Sequence, residues 1–137
     1  MLQFGILLHS LVVGFMIFFM AVVSPTIFKV LDETNSGTFL RQLFPRMFLY
    51  GLIAMLLAFL TTLNSQLNIY WIISSISSIF FAINLYIITP KINYHRDEAK
   101  LGNSLSEKKF KQFHLFSVAL FILQLLGSLY LLLIYYY

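Results

Sequence analysis

Four long apolar runs decide what this chain can fold into. They span about residues 4–28, 44–63, 69–89 and 112–134, and none contains an aspartate or glutamate. Each holds about 20 residues or more, enough for a helix rising about 1.5 Å per residue to cross a hydrocarbon core of ~30 Å. In lipid, only helices and closed barrels satisfy every backbone polar group. Barrel strands would be ~10 residues long with alternating polarity, whereas these runs are longer and do not alternate. The sequence therefore predicts an all-α fold, an integral membrane four-helix bundle in which residues 1–137 form a single transmembrane domain.

Composition agrees: 60% of the 137 residues are hydrophobic and 10% are charged, against roughly 25% charged in a soluble domain. The first run is not built like a signal peptide. Nothing before Lys29 is charged apart from the amino terminus, and the run outlasts the ~7–15 residues of a secretory apolar region. It reads as a retained helix. There is no cysteine, which excludes disulfides, thiolate metal sites and thiol chemistry.

The net charge is +4, carried by nine lysines and arginines. Their placement is one-sided. Lys29, Arg41 and Arg46 surround the first connection, and Lys91, Arg96, Lys100, Lys108, Lys109 and Lys111 fill the third. The second connection, Asn64–Asn68, and the terminal tyrosines have none. The positive-inside rule puts connections one and three in the cytoplasm. Both termini then lie outside, in the periplasm of a bacterium, and the Ile/Lys/Asn-rich style points to a bacterial inner membrane. Charge arranged this way orients a membrane protein and is not a nucleic-acid footprint. The expected partners are the lipid bilayer and other membrane proteins or a homo-oligomer, with no nucleic acid.

The connections carry further expectations. Phe39, Leu40, Leu43 and Phe44 have helical spacing, so a short interfacial helix should lead into helix 2. Pro45 would sit in the first turn of helix 2 or at a break before it, with Arg46 as an anchor beside it. Connection three, about Lys91–Lys111, should be the one sizeable soluble part, with Ser106 as the N-cap of helix 4 and His95 solvated. Pro25, Pro45 and Pro90 near the basic helix ends read as punctuation, or as breaks that free backbone carbonyls. Small residues at Gly51, Ala54 and Ala58, at Ser74, Ser78 and Ser77 or Ala82, and at Gly5, Ser10 and Gly14 should allow close helix approach. No internal repeat stands out.

Polar residues at membrane depth are the candidate site, because they are costly there and turn toward the bundle. His114, Ser117, Gln124 and Ser128 share one face of helix 4. Counted from the basic end, Arg46, Asn84, His114 and Ser117 fall at similar depth together with Ser24. They define a candidate inner-leaflet site with Lys29 and Asn93 near its mouth. His9 lies near the opposite face, roughly 20 Å away at helical rise, so a haem held between His9 and His114 of one subunit is poorly placed. His9 reads as a hydrogen-bonded bundle histidine, and it is also a candidate ligand-binding residue that can carry a proton. Met16 and Met20 read as core filling. No metal-ligand spacing, phosphate loop or nucleophile motif is present, so no catalytic residue can be assigned.

Several stretches together resemble a known family. They are "ILLHSLVVGFMIFFMAVVSPTIFKVL", "LFPRMF", "NLYIITPKIN" and "FHLFSVALFILQLL". The chain resembles the TMEM205-like (DUF4149) family of small membrane proteins along almost its whole length. The resemblance implies a four-helix membrane domain and a polar pattern at His9, Pro45, Arg46, Asn84, Pro90 and His114. It implies no reaction. The leading expectation is a small multi-pass membrane protein that acts by binding or as an accessory, leaning away from an enzyme, with no cofactor favoured. Two alternatives stay open: a haem- or metal-dependent membrane redox protein, and a small-solute transporter.

Overall fold

The computed structural model describes residues 1–137 as four helices in sequence: α1 (Leu2–Val30), α2 (Glu33–Thr62), α3 (Ile69–Lys100) and α4 (Ser104–Tyr136). Each is long and apolar enough to cross a membrane. Successive helices pack antiparallel around a ring, and α4 closes it against α1. Both termini therefore sit at the end opposite the basic connections.

The helices are longer than the apolar runs. At about 1.5 Å per residue, 30 residues reach roughly 45 Å, well beyond a ~30 Å core. The excess is at the basic end, where the expected loops are helical. α2 starts at Glu33, so no separate interfacial helix precedes it, and Pro45 lies inside the helix. The reason is local. Asp32 caps α2, its carboxylate accepting the Asn35 N–H at 2.8 Å and the Asn35 side-chain amide at 2.9 Å. The aromatic packing of Phe44 on Phe48, with centroids 5.7 Å apart, then holds the chain helical across the proline.

Connection three likewise shrinks to a turn, Leu101–Asn103. The Gly102 N–H donates to the Ala99 carbonyl and the Asn103 N–H to that of Glu98, with Gly102 at φ +92°. This is the glycine stop that satisfies the last carbonyls of a helix. Asn103, not Ser106, caps α4: its side chain accepts the Ser106 N–H at 3.1 Å. Ser106 is buried instead, near His95 Nδ1 at 3.3 Å. His95 is thus on α3 and stacked on Phe113, 5.7 Å between centroids, rather than in a solvated loop. Arg41 pairs with Asp97 at 2.5 Å and links α2 to α3 at the basic end.

The core fills the ring. Val12, Met16, Phe48, Met55, Phe81 and Phe121 form its centre, and Ile6, Tyr70 and Leu131 a smaller cluster toward the termini. Leucine, isoleucine and phenylalanine also cover the outer face, as lipid-facing surfaces require. The small residues of α2 and α3 are buried at helix contacts. Gly14 on α1 is exposed, with nothing near it, so that part of the α1 stripe does not mediate packing within the chain.

Candidate functional site: a lateral cavity at the basic end

Two helices are broken in the same way. α1 has a π-helical segment over Phe19–Val23, followed by Ser24 and Pro25. α3 has one over Asn84–Ile88, followed by Thr89 and Pro90. Each wide turn precedes a hydroxyl residue and a proline, at a constant offset in sequence. This repeat was not evident from the sequence, because only the short Ser-Pro and Thr-Pro pairs signal it. Wide turns of this kind concentrate at functional sites.

The break in α1 matters for shape. Before it, α1 packs on α2 and α4; after it, the backbone of Phe19–Val30 stays more than 8 Å, Cα to Cα, from α4. Only Ile27 is buried in that stretch. The gap between the lower part of α1 and α4 is a cavity of about 320 Å³, at the small end of ligand-site volumes of roughly 300–1,000 Å³. α1 supplies Phe19, Met20, Ser24 and Phe28; α2 supplies Leu40, Phe44, Met47 and Phe48. α3 supplies Thr89 and Ile92, and α4 supplies His114, Ser117, Val118, Phe121 and Ile122. Met20, Phe28, Val118 and Ile122 are also exposed on the outer surface, so the mouth opens sideways toward lipid.

The lining is aromatic and uncharged. Phe19 lies 5.6 Å from Phe44 and 6.3 Å from Phe121 between centroids. The polar groups are Ser24, Thr89, His114 and Ser117; no lysine, arginine, aspartate or glutamate lines the space. Ser117 is engaged, donating to Asn84 Oδ1 at 2.7 Å. The Ser24 and Thr89 hydroxyls and the His114 ring have no hydrogen-bond partner in the chain. His114 stacks on Phe110, 6.1 Å between centroids.

The sequence-derived candidates divide accordingly. Ser24, His114 and Ser117 meet at the cavity, and Asn84 stands behind it through Ser117. Thr89 joins them unannounced. Arg46 does not: it is exposed on α2 and lines no part of the space. The helix begins so far upstream that Arg46 falls on a mid-helix position whose face turns outward, one residue from the inward Met47. Asn84 is fully buried and its Nδ2 has no partner.

His9 belongs to a separate polar layer nearer the termini. Its Nδ1 is 2.9 Å from Ser128 Oγ and its Nε2 is 2.9 Å from Ser74 Oγ. Ser74 spends its own proton on the Tyr70 carbonyl at 2.7 Å. Ser74 therefore accepts from His9 Nε2–H, and Ser128 donates to Nδ1. With both ring nitrogens engaged, axial ligation of haem by His9 would break one of these bonds. Gln124 sits between the layers and donates to the Ser77 carbonyl at 2.9 Å.

Together these features define a small multi-pass membrane protein: four spanning helices, a polar layer across the bundle, and a side-opening cavity at the basic end. The family model described as "Domain of unknown function (DUF4149)" matches residues 7–101. That is more than half of the chain, and the chain belongs to this family. The match takes in α1 to α3 and thus Ser24, Asn84 and Thr89, while His114 and Ser117 lie beyond it. No curated protein and no solved structure matches the chain.

Proposed function

We propose that this protein binds an uncharged, single-chain amphiphile that reaches the cavity sideways from the bilayer. One observation carries the reading: an aromatic-walled space of about 320 Å³, open between α1 and α4, holding free hydroxyls and an imidazole and no charged side chain. A charged head in that space would have no counter-ion, and an unpaired buried charge is costly. A purely apolar occupant would leave three polar side chains without use. In this proposal the basic end faces the cytoplasm of a bacterial inner membrane, and the cavity serves the inner leaflet.

The test is native mass spectrometry of protein released from nanodiscs of native lipid. The expected result is one amphiphile bound per chain, lost when Val118→Trp fills the mouth and kept when Ile76→Trp adds the same bulk on the outer face of α3. Equal adducts in both variants would show surface lipid only and overturn the proposal.

A further inference from the structure

The geometry points to an alcohol as the head group that the cavity recognises; this rests on the amphiphile-binding reading above and makes it specific. The argument starts from the backbone. At the end of the α1 wide turn, the Ser24 N–H donates to the Phe19 carbonyl and not to Met20. The next residue is Pro25, which has no N–H. The Met20 carbonyl therefore has neither its helical donor four residues on nor the alternative five residues on. In a helix that carbonyl points along the axis toward Ser24, and Met20 and Ser24 both line the cavity. α3 repeats the arrangement. The Thr89 N–H donates to Asn84, Pro90 follows, and the Leu85 carbonyl is freed above Thr89.

Of the two residues with freed carbonyls, Met20 lines the cavity and Leu85 does not, so the cavity end offers the Met20 carbonyl, which only accepts, beside hydroxyls and an imidazole, which donate as well. A freed carbonyl within a membrane protein needs a donor, because an unpaired buried polar group costs most of a hydrogen bond. The candidate heads separate on this ground. An ester or a ketone only accepts, so it leaves the Met20 carbonyl unmet. A carboxylate only accepts and finds no cation. An ammonium finds no carboxylate and cannot accept from Ser24, Thr89 or His114. A hydroxyl does both at once: it donates to Met20 and accepts from Ser24 or Thr89. The occupant is a single-chain lipid alcohol, such as a fatty or isoprenoid alcohol. Its chain lies against Phe19, Phe44 and Phe121.

The test uses three photoactivatable sixteen-carbon probes, the alcohol, the acid and the methyl ester, incorporated into nanodiscs with the full chain and mapped by peptide mass spectrometry. The alcohol is expected to label cavity residues about 10-fold more than the ester or the acid, roughly one hydrogen bond's worth of preference. The Ser24→Ala/Thr89→Val double variant removes the hydroxyls that donate to either head, so alcohol and ester labelling should both fall while the alcohol keeps its excess over the ester, which the Met20 carbonyl carries, with thermal stability as the folding control. Ester or acid labelling equal to that of the alcohol would sink the head-group assignment and leave the cavity reading standing. No cavity labelling by any of the three probes would sink both.

Discussion

At the scale of single residues, two buried contacts make firm predictions. His9 is fully buried, and its partners fix its tautomer: Nε2 carries the proton toward Ser74, and Nδ1 receives one from Ser128. Nitrogen-15 NMR of labelled protein at neutral pH should show that tautomer. Ser128→Ala removes the donor to Nδ1 and should cost up to ~1.7 kcal/mol, the upper end for hydrogen bonds between membrane helices. Ser74→Ala should cost at least as much, since it also loses its bond to Tyr70. The second contact is Gly51. An added Cβ there would lie 2.5 Å from the Phe81 ring, and Phe81 is itself fully buried. Gly51→Ala should therefore destabilise the bundle by about 1–3 kcal/mol through overpacking, read as a lower melting temperature in detergent. Phe81→Leu should recover part of that loss in the double variant, because residues in contact do not act additively.

At the scale of elements, the two Pro-associated wide turns are the feature that sequence alone did not reveal. Apolar length and charge located all four helices. They could not locate a five-residue π-segment, whose cause is a missing N–H at Pro25 or Pro90 and whose effect is spread over the preceding turn. The helix ends were mis-sited for a related reason. Polar, charged residues such as Glu33–Thr38 and Asn93–Lys100 look like loop when the measure is hydropathy, yet capping by Asp32 and the glycine stop at Gly102 settle them as helix. Restoring the missing donor is a direct test. Pro25→Ala returns an N–H to the turn, so amide exchange over residues 24–29 should slow while alcohol labelling of the cavity falls. The cap has its own pH signature. Hydrogen bonds from Asn35, the backbone N–H first and then the side-chain amide, hold the Asp32 carboxyl below its ordinary value of 3.8. A carboxylate depressed by folding adds stability above its unfolded value and loses it as pH falls through the folded one. The first turn of α2 should therefore lose protection against amide exchange, relative to the intrinsic rate, as pH drops below about 3.8, and Asp32→Asn, which keeps a cap oxygen, should abolish that dependence.

At the scale of the whole molecule, the sequence specified the ring of four helices because each is a full span, and short connections leave antiparallel neighbours as the simplest packing. The site was legible in part. Depth counting brought Ser24, Asn84, His114 and Ser117 to one level, and these residues do gather there. It could not choose between the two readings of Arg46, anchor or site residue, because depth says nothing about which way a side chain turns. That in turn depended on where α2 begins. The orientation of the ring in the membrane rests on the nine basic residues at one end. It has a clean test, since the chain has no cysteine to interfere. Gln66→Cys places a thiol in the exposed turn between α2 and α3, and Lys100→Cys places one at the exposed end of α3. A membrane-impermeant maleimide added to intact cells should label Gln66→Cys at once and Lys100→Cys only after the membrane is permeabilised. The reverse pattern would move the cavity to the outer leaflet. The alcohol it recognises would then have to be supplied from the outer face, with the head-group chemistry unchanged.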